Sequence, residues 1–251
     1  MMSENVLNAG GSVAAIILGA GKGTRMKSDL PKVMMPVCGK PMVKHIIDTL
    51  SNMGIQKIVT VISSDGELVK NEVAPYPTVV QEQQLGTGHA VNCAQSLLRD
   101  FEGPVLVVFD DTPLITAQTF QKTVDKIKEG FAVVVLGFKP HDPARYGRLV
   151  MKGDELAEIV EFKDATDEQK DIDFCNSGCM GFDGRYLFEI LSRIGNENAA
   201  HEYYLTDAVK IARKMGLKCT AIVGNSKEIA SANTREELAL LDEFYKDRKN
   251  W

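Results

Sequence analysis

The segment Val13-Ala14-Ala15-Ile16-Ile17-Leu18, apolar throughout and stopped by Gly19-Ala20-Gly21, does most to limit the folds open to this chain. Apolar residues at every position, rather than at every second one, read as a strand buried on both faces of a mostly parallel sheet. Such a sheet needs helices on each side, so the rest of the chain has to supply them in alternation with further strands.

It does. Pro41 to Met53 sets Met42, Val43, Ile46, Ile47 and Leu50 on one helical stripe, with Pro41 suited to a first turn and Gly54 to a stop. Lys57–Ile62, Val105–Phe109 and Ala132–Gly137 read as strands, with a helix over Ala117–Lys128 between the last two. Between Tyr146 and Glu161 two extended segments flank Lys152-Gly153-Asp154, the pattern of an inserted β-hairpin that could wall a second pocket. Asp173–Phe182 and Lys218–Val223 read as strands, and Arg185–Ile194, Thr206–Met215 and Thr234–Lys249 as helices. The expected fold is therefore α/β, a Rossmann-like doubly wound sheet with a small inserted hairpin or lid. Residues 1–12 are expected to be a loosely held N-terminus and 13–251 a single domain, with no hexapeptide repeat of the kind that builds a parallel β-helix.

Composition narrows function chiefly by exclusion. A net charge of -5 argues against a general nucleic-acid binder, so any polyanionic ligand has to be met locally. The five cysteines include no close CxxC pair and the four histidines are scattered, which suits reduced thiols and core packing better than zinc. No apolar run approaches the ~20 residues needed to span a bilayer, and residues 1–11 lack a signal-peptide core, so a cytoplasmic location is expected.

In Gly19-Ala20-Gly21-Lys22-Gly23-Thr24-Arg25-Met26 the glycines free the backbone to curl, so that successive N–H groups can face an anion, while Lys22 and Arg25 add charge and Lys32 follows Pro31 within reach. A tight turn with solvated cations is the plainer alternative. Two familiar phosphate loops do not fit. The Walker loop needs Ser or Thr after Gly-Lys, where this chain has Gly23. The dinucleotide fingerprint wants three spaced glycines opening a helix and an acid ~20 residues on, where this chain has Gly39 and Lys40.

Leu18 to Met26, followed by Leu30-Pro31-Lys32, resembles the signature of nucleoside-diphosphate-sugar pyrophosphorylases, which usually carry Ala at the position of Gly19. Within that superfamily, Gln81-Glu82-Gln83-Gln84-Leu85-Gly86-Thr87-Gly88-His89-Ala90 and Glu202-Tyr203-Tyr204-Leu205-Thr206-Asp207 are similar to the uridylyltransferase domains of bacterial bifunctional N-acetylglucosamine 1-phosphate enzymes. The resemblance runs from about Ala14 to Lys249. It implies Mg²⁺-dependent transfer of a uridylyl group from UTP to N-acetylglucosamine 1-phosphate, without the acetyl transfer of the β-helical domain.

The same resemblance assigns roles. Leu18, Gly19, Ala20 and Gly21 would contact the nucleotide, and Arg25 and Lys32 would grip its phosphates. Gln81, Gly86 and Thr87 would read uracil, whose edge both donates and accepts, as a side-chain amide does; Thr87 could equally cap a helix running to Leu98. Asp111 and Asn233 would hold Mg²⁺, with Asp110 standing where close relatives have glycine and Phe109 where they often have tyrosine. Gly147, Glu161 and Asn176 would bind the sugar, with Tyr204 and Thr206 shaping its acetamide pocket or packing in the core. Phosphoryl transfer asks for alignment and charge neutralisation rather than a nucleophilic triad. Neither nucleic acid nor membrane is expected as a partner, and a monomer is the default. Alternatives are a related transferase of different sugar or base selectivity, or a non-catalytic nucleotide-sugar binding module.

Overall fold

The computed structural model describes residues 12–21, 26, 28, 30–143 and 145–248. Lys22, Arg25, residues 1–11 and Lys249 lie outside the described residues. Strand β1 (Ala14–Leu18) is buried along its whole length, and its side chains divide by parity. Ala14, Ile16 and Leu18 enter one core and Ala15 and Ile17 another on the opposite face, as the period of a strand requires. Burying an isoleucine such as Ile16 or Ile17 contributes on the order of 2 kcal/mol.

After β1 a 3₁₀ turn (Lys32–Met34) and a ribbon of β2 (Pro36–Val37) and β3 (Lys40–Pro41) lead into α1 (Met42–Asn52). There follow β4 (Lys57–Ile62), α2 (Glu67–Val73) and β5 (Thr78–Val80). The helix expected from Thr87 to Leu98 is broken at Ala94 into α3 (Thr87–Cys93) and α4 (Gln95–Leu98). Next come β6 (Pro104–Phe109), α5 (Ala117–Lys128), β7 (Val133–Phe138), the hairpin β8 (Arg148–Lys152) and β9 (Glu155–Val160), and α6 (Asp167–Lys170). The chain closes with β10 (Cys175–Asp183), α7 (Gly184–Leu191), α8 (Asp207–Lys214), β11 (Cys219–Val223), α9 (Ser226–Ile229) and α10 (Arg235–Asp247).

The main sheet runs β11-β7-β10-β6-β1-β4-β5, with the hairpin attached to β10. Neighbours are parallel except β10, which is antiparallel to both β6 and β7. The chain leaves β7 at its carboxyl end, turns through the hairpin and re-enters from that same end, so no crossover restores the direction. Helices α1, α2 and α5 cover one face through Val43, Ile47, Val69, Phe120 and Val124. Helices α3, α4, α7 and α8 cover the other through Val91, Leu98, Leu187 and Val209.

Beyond the sheet, Met26, Met35, Val37, Met42, Leu114, Ala232 and Leu241 form a third core that seats α10 on the β2–β3 ribbon. Among the described residues no helix is long and apolar enough to cross a membrane, and all five cysteines are free. Strand order reverses around β1: the chain builds outward through β4 and β5, then returns to place β6 on the other side. Open α/β sheets bind ligands outside the carboxyl ends of the strands at such a switch.

Candidate active site

Leu18 pairs with Phe109 at the ends of β1 and β6, so Gly19-Ala20-Gly21 and Asp110-Asp111 leave the sheet side by side. The Gly19 N–H donates to the Val61 carbonyl at 2.8 Å. A Cβ at Gly19 would lie 3.3 Å from that same oxygen, tight enough to require a small adjustment, while a Cβ at Gly21 would meet nothing. The Gln84 amide donates to the Ala20 carbonyl and fixes the loop from the opposite wall. Gln84 is absent from the residues singled out by sequence, although it stands inside the Gln81–Ala90 block.

Lys32, on the 3₁₀ turn after Pro31, is buried although cationic. Its ammonium donates to Asp111 Oδ2 at 2.8 Å and to Asn233 Oδ1 at 2.8 Å. Three residues distant in sequence thus meet at one point. Asn233 is delivered there by the start of α10, where Thr234 and Glu237 form a capping box. Asp111 is tied to the same segment, its carbonyl accepting from the Ala232 N–H at 3.2 Å. Among the described residues no group of three or more His, Cys, Asp or Glu could hold a metal ion; the oxygens that meet at this point are those of Asp111 and Asn233, both bound to the Lys32 ammonium.

Asp110 is buried, and its Oδ2 has no hydrogen-bond partner. Burial pushes its carboxyl up to about 7, with Lys32 opposing and Asp111 adding to the rise. It lines a cleft of about 260 Å³ shared with Leu18, Ala20, Gln81, Gly86 and Thr87.

Gln81 is buried, and its Nε2 donates to the Gly86 carbonyl at 3.1 Å and meets His89 Nδ1 at 3.0 Å. The expectation that its amide both donates and accepts at a base therefore needs correction: the amino group is spent internally, and the oxygen is the atom left to offer. Gly86 adopts φ +117, and a Cβ there would come within 2.6 Å of the Tyr203 carbonyl. Gly88 N–H donates to that carbonyl at 2.8 Å, and Leu205 N–H donates to Thr87 Oγ1 at 3.0 Å. Thr87 is thus not the cap of α3; Gly86 precedes the helix, and the hydroxyl instead bolts the Gln81–Ala90 block to Glu202–Asp207.

Around the hairpin, Gly147, Glu161 and Asn176 come together. Asn176 N–H donates to the Gly147 carbonyl at 2.8 Å, and a Cβ at Gly147 would sit 3.6 Å from both Asn176 Cβ and Glu161 Oε2. Thr206 Oγ1 donates to Glu161 Oε1 at 3.0 Å, and both line a cavity of about 310 Å³ with Tyr204. Burial raises the Glu161 carboxyl above its ordinary range; the Thr206 hydrogen bond opposes this, and Asp164 and Asp207 add to it. Of the two tyrosines it is Tyr203 that packs on the core. The guanidinium of buried Arg148 donates to the carbonyls of Lys170, Pro143 and Tyr146, which holds the loop carrying Gly147. Gly178 brings the neighbouring turn to Phe109, since a Cβ there would lie 2.8 Å from the ring. Of the residues singled out by sequence, Lys22 and Arg25 lie outside the described residues.

A glycine loop and an acidic strand end meeting at the switch of a doubly wound sheet, with a buried lysine between them, define a nucleotidyltransferase-type fold and site. The chain belongs to the MobA-like NTP transferase domain family, whose profile matches residues 15–170. It is 48% identical over 242 residues to the bifunctional protein GlmU of Paramagnetospirillum magneticum, covering 96% of this chain and 54% of that protein. It is 49% identical over 237 residues to the bifunctional protein GlmU of Rhodospirillum rubrum, covering 94% and 53%. The chain spans about half the length of the curated relatives it matches. A structure assigned as a glucose-1-phosphate thymidylyltransferase from Bacillus anthracis, in complex with sucrose, superposes with a TM-score of 0.76 at 19% identity, covering 94% of this chain and 96% of that one. At that identity the likeness speaks for the fold.

Proposed function

We propose that this chain is a uridylyltransferase that makes UDP-N-acetylglucosamine and pyrophosphate from UTP and N-acetylglucosamine 1-phosphate, acting in the cytoplasm. The observation that carries this reading is the Lys32 ammonium held at 2.8 Å by both Asp111 and Asn233, beside the glycine loop at the strand ends. A phosphate oxygen of the sugar phosphate attacks the α-phosphorus of UTP. The bond from that phosphorus to the bridging oxygen breaks, and pyrophosphate leaves with the electron pair. No proton has to move, because the nucleophile is already an anion.

What the protein supplies is alignment and neutralisation. Uracil lies against Gln81, Gly86 and Thr87, with the Gln81 oxygen facing its N–H. Leu18 to Gly21 support the nucleotide, and Lys32, with Arg25, takes the phosphate charge. Gly147, Glu161, Asn176, Tyr204 and Thr206 orient the sugar. Asp111 Oδ2 and Asn233 Oδ1 already converge on one cation, and two hard oxygens suit Mg²⁺, which takes few protein ligands and fills its shell with water and phosphate oxygens. Mg²⁺ held by Asp111 and Asn233 would supply neutralisation of the phosphate charge.

A pyrophosphate-release assay over four nucleoside triphosphates and a panel of sugar 1-phosphates tests the assignment. Turnover is expected with UTP and N-acetylglucosamine 1-phosphate together with Mg²⁺. Faster release with another base or with glucose 1-phosphate would replace the specificity, and no release with any pair would remove the activity.

A further inference from the structure

We propose that His89 is a positioning residue for the base: its imidazole Nδ1 holds the Gln81 amide with the oxygen outward, and so makes the cleft prefer uracil to cytosine. The proposal rests on the uridine reading above and deepens it by naming the group that keeps this amide from turning over. Gln81 is buried, and it lines the cleft beside Gly86 and Thr87. A side-chain amide turned over exchanges an acceptor for a donor in nearly the same place, so the base it takes depends on which way it is held.

Two neighbours decide the orientation. The Gly86 carbonyl oxygen lies 3.1 Å and His89 Nδ1 3.0 Å from the same amide nitrogen. A carbonyl oxygen can only accept, so the group that faces it is the NH2, whose second proton is left for His89. Nδ1 is therefore the bare nitrogen of the ring, with the proton on Nε2. Turning the amide over would set Oε1 against the Gly86 oxygen and the Nδ1 lone pair and lose both bonds. The Gly86 oxygen is shared with the Ala90 N–H at 3.1 Å, whereas His89 is the one side chain among the described residues that bonds the amide. The ring is well placed for this, because the first turn of α3 is tied to Glu202–Asp207 through the Gly88 N–H and Thr87 Oγ1. Among the described residues Gln81 Oε1 has no protein partner, and unlike Asp110 Oδ2 it is not sealed from solvent. It can accept from the N3–H of uracil. Cytosine carries a lone pair at N3 and needs the amide turned the other way.

The test is calorimetric titration of UTP and of CTP, each with Mg²⁺, into the wild-type chain, His89→Leu and His89→Asn. Wild type is expected to bind UTP roughly 30-fold tighter than CTP, because seating CTP forfeits two hydrogen bonds. In His89→Leu the ratio should fall about fivefold, the weight of one such bond, through tighter binding of CTP rather than weaker binding of UTP. His89→Asn, whose amide oxygen can replace Nδ1 as acceptor, should recover most of the wild-type ratio. An unchanged ratio in His89→Leu, with both nucleotides held as before or weakened equally, overturns the proposal and leaves the uridine reading standing. A wild-type chain that binds CTP as tightly as UTP, or binds neither, overturns both. The ring tautomer gives a readout that needs no variant. Nitrogen NMR of the histidine-labelled wild-type chain at mildly alkaline pH should find the His89 proton on Nε2, and a proton on Nδ1 overturns the proposal whether or not the variants fold.

Discussion

Lys32 shows how one side chain can organise a charged site before any ligand arrives. Its ammonium spans Asp111 and Asn233 and so keeps two oxygens of distant segments in register. Replacing it with alanine removes that bridge and, on the proposed reading, the cation that takes the phosphate charge. Lys32→Ala is expected to lower kcat roughly 100- to 1,000-fold, the range for loss of one preorganised electrostatic group; a steady-state assay returning wild-type kcat would refute its role. Glu161 makes a different prediction. Its carboxyl binds a proton more tightly in the folded chain than in the unfolded one, so the folded state holds more protons in the window above the ordinary carboxylate pKa, and stability falls as pH rises through it. Glu161→Gln should therefore melt at a higher temperature than wild type near pH 7, with the advantage vanishing below about pH 4, where the Glu161 carboxyl of the wild type is neutral in the folded and the unfolded chain alike. Thermal melts at the two pH values check this, and an equal or lower melting temperature near pH 7 would contradict it. The gain in stability should be accompanied by a higher KM for the sugar phosphate.

Among the elements, the strap that residues Glu202–Asp207 form over Gly86-Thr87-Gly88 carries the most geometry per residue. Gly86 sits at φ +117 with no room for a side chain against Tyr203, so Gly86→Ala combines backbone strain with a clash. The expected result is a loss of about 1–3 kcal/mol of stability and a rise in KM for the nucleotide that exceeds any rise for the sugar phosphate. Denaturant unfolding and two-substrate kinetics measure both, and a parent-like profile would deny the strap its role. Local pattern made the ends of β1 and β6 legible, because an apolar run ending in glycines or in paired aspartates is complete within a dozen residues. The tie between Thr87 and Leu205 was not legible, because the Thr87 hydroxyl meets a backbone N–H, and a backbone partner carries no residue code. The same limit hid Gln84, whose partner is the Ala20 carbonyl. Helix α2 and strand β5 escaped for another reason. Each is short, and β5 is half exposed at the sheet edge, so neither carries enough apolar period to be distinguished from loop.

At the scale of the whole molecule, the doubly wound sheet follows from the parity of β1 and its neighbours, whereas the reversed direction of β10 depends on how the hairpin returns the chain. The third core has a mechanical consequence. Leu241 is fully buried there, and it holds α10, whose start presents Asn233 to Lys32. Leu241→Ala should cost about 2–5 kcal/mol, as large-to-small core changes do, and should also weaken Mn²⁺ binding in the presence of nucleotide. Calorimetry and a metal titration separate the effects, and intact metal affinity in a destabilised variant would uncouple α10 from the site. The most direct measurement for the account as a whole is a crystal structure with UDP-N-acetylglucosamine and Mg²⁺ bound. Uracil should lie against Gln81 and Gly86, the diphosphate beside the Gly19–Gly21 loop and Lys32, the ion between Asp111 and Asn233, and the sugar among Gly147, Glu161 and Asn176. A sugar nucleotide seated anywhere other than the carboxyl ends of β1 and β6 would contradict it.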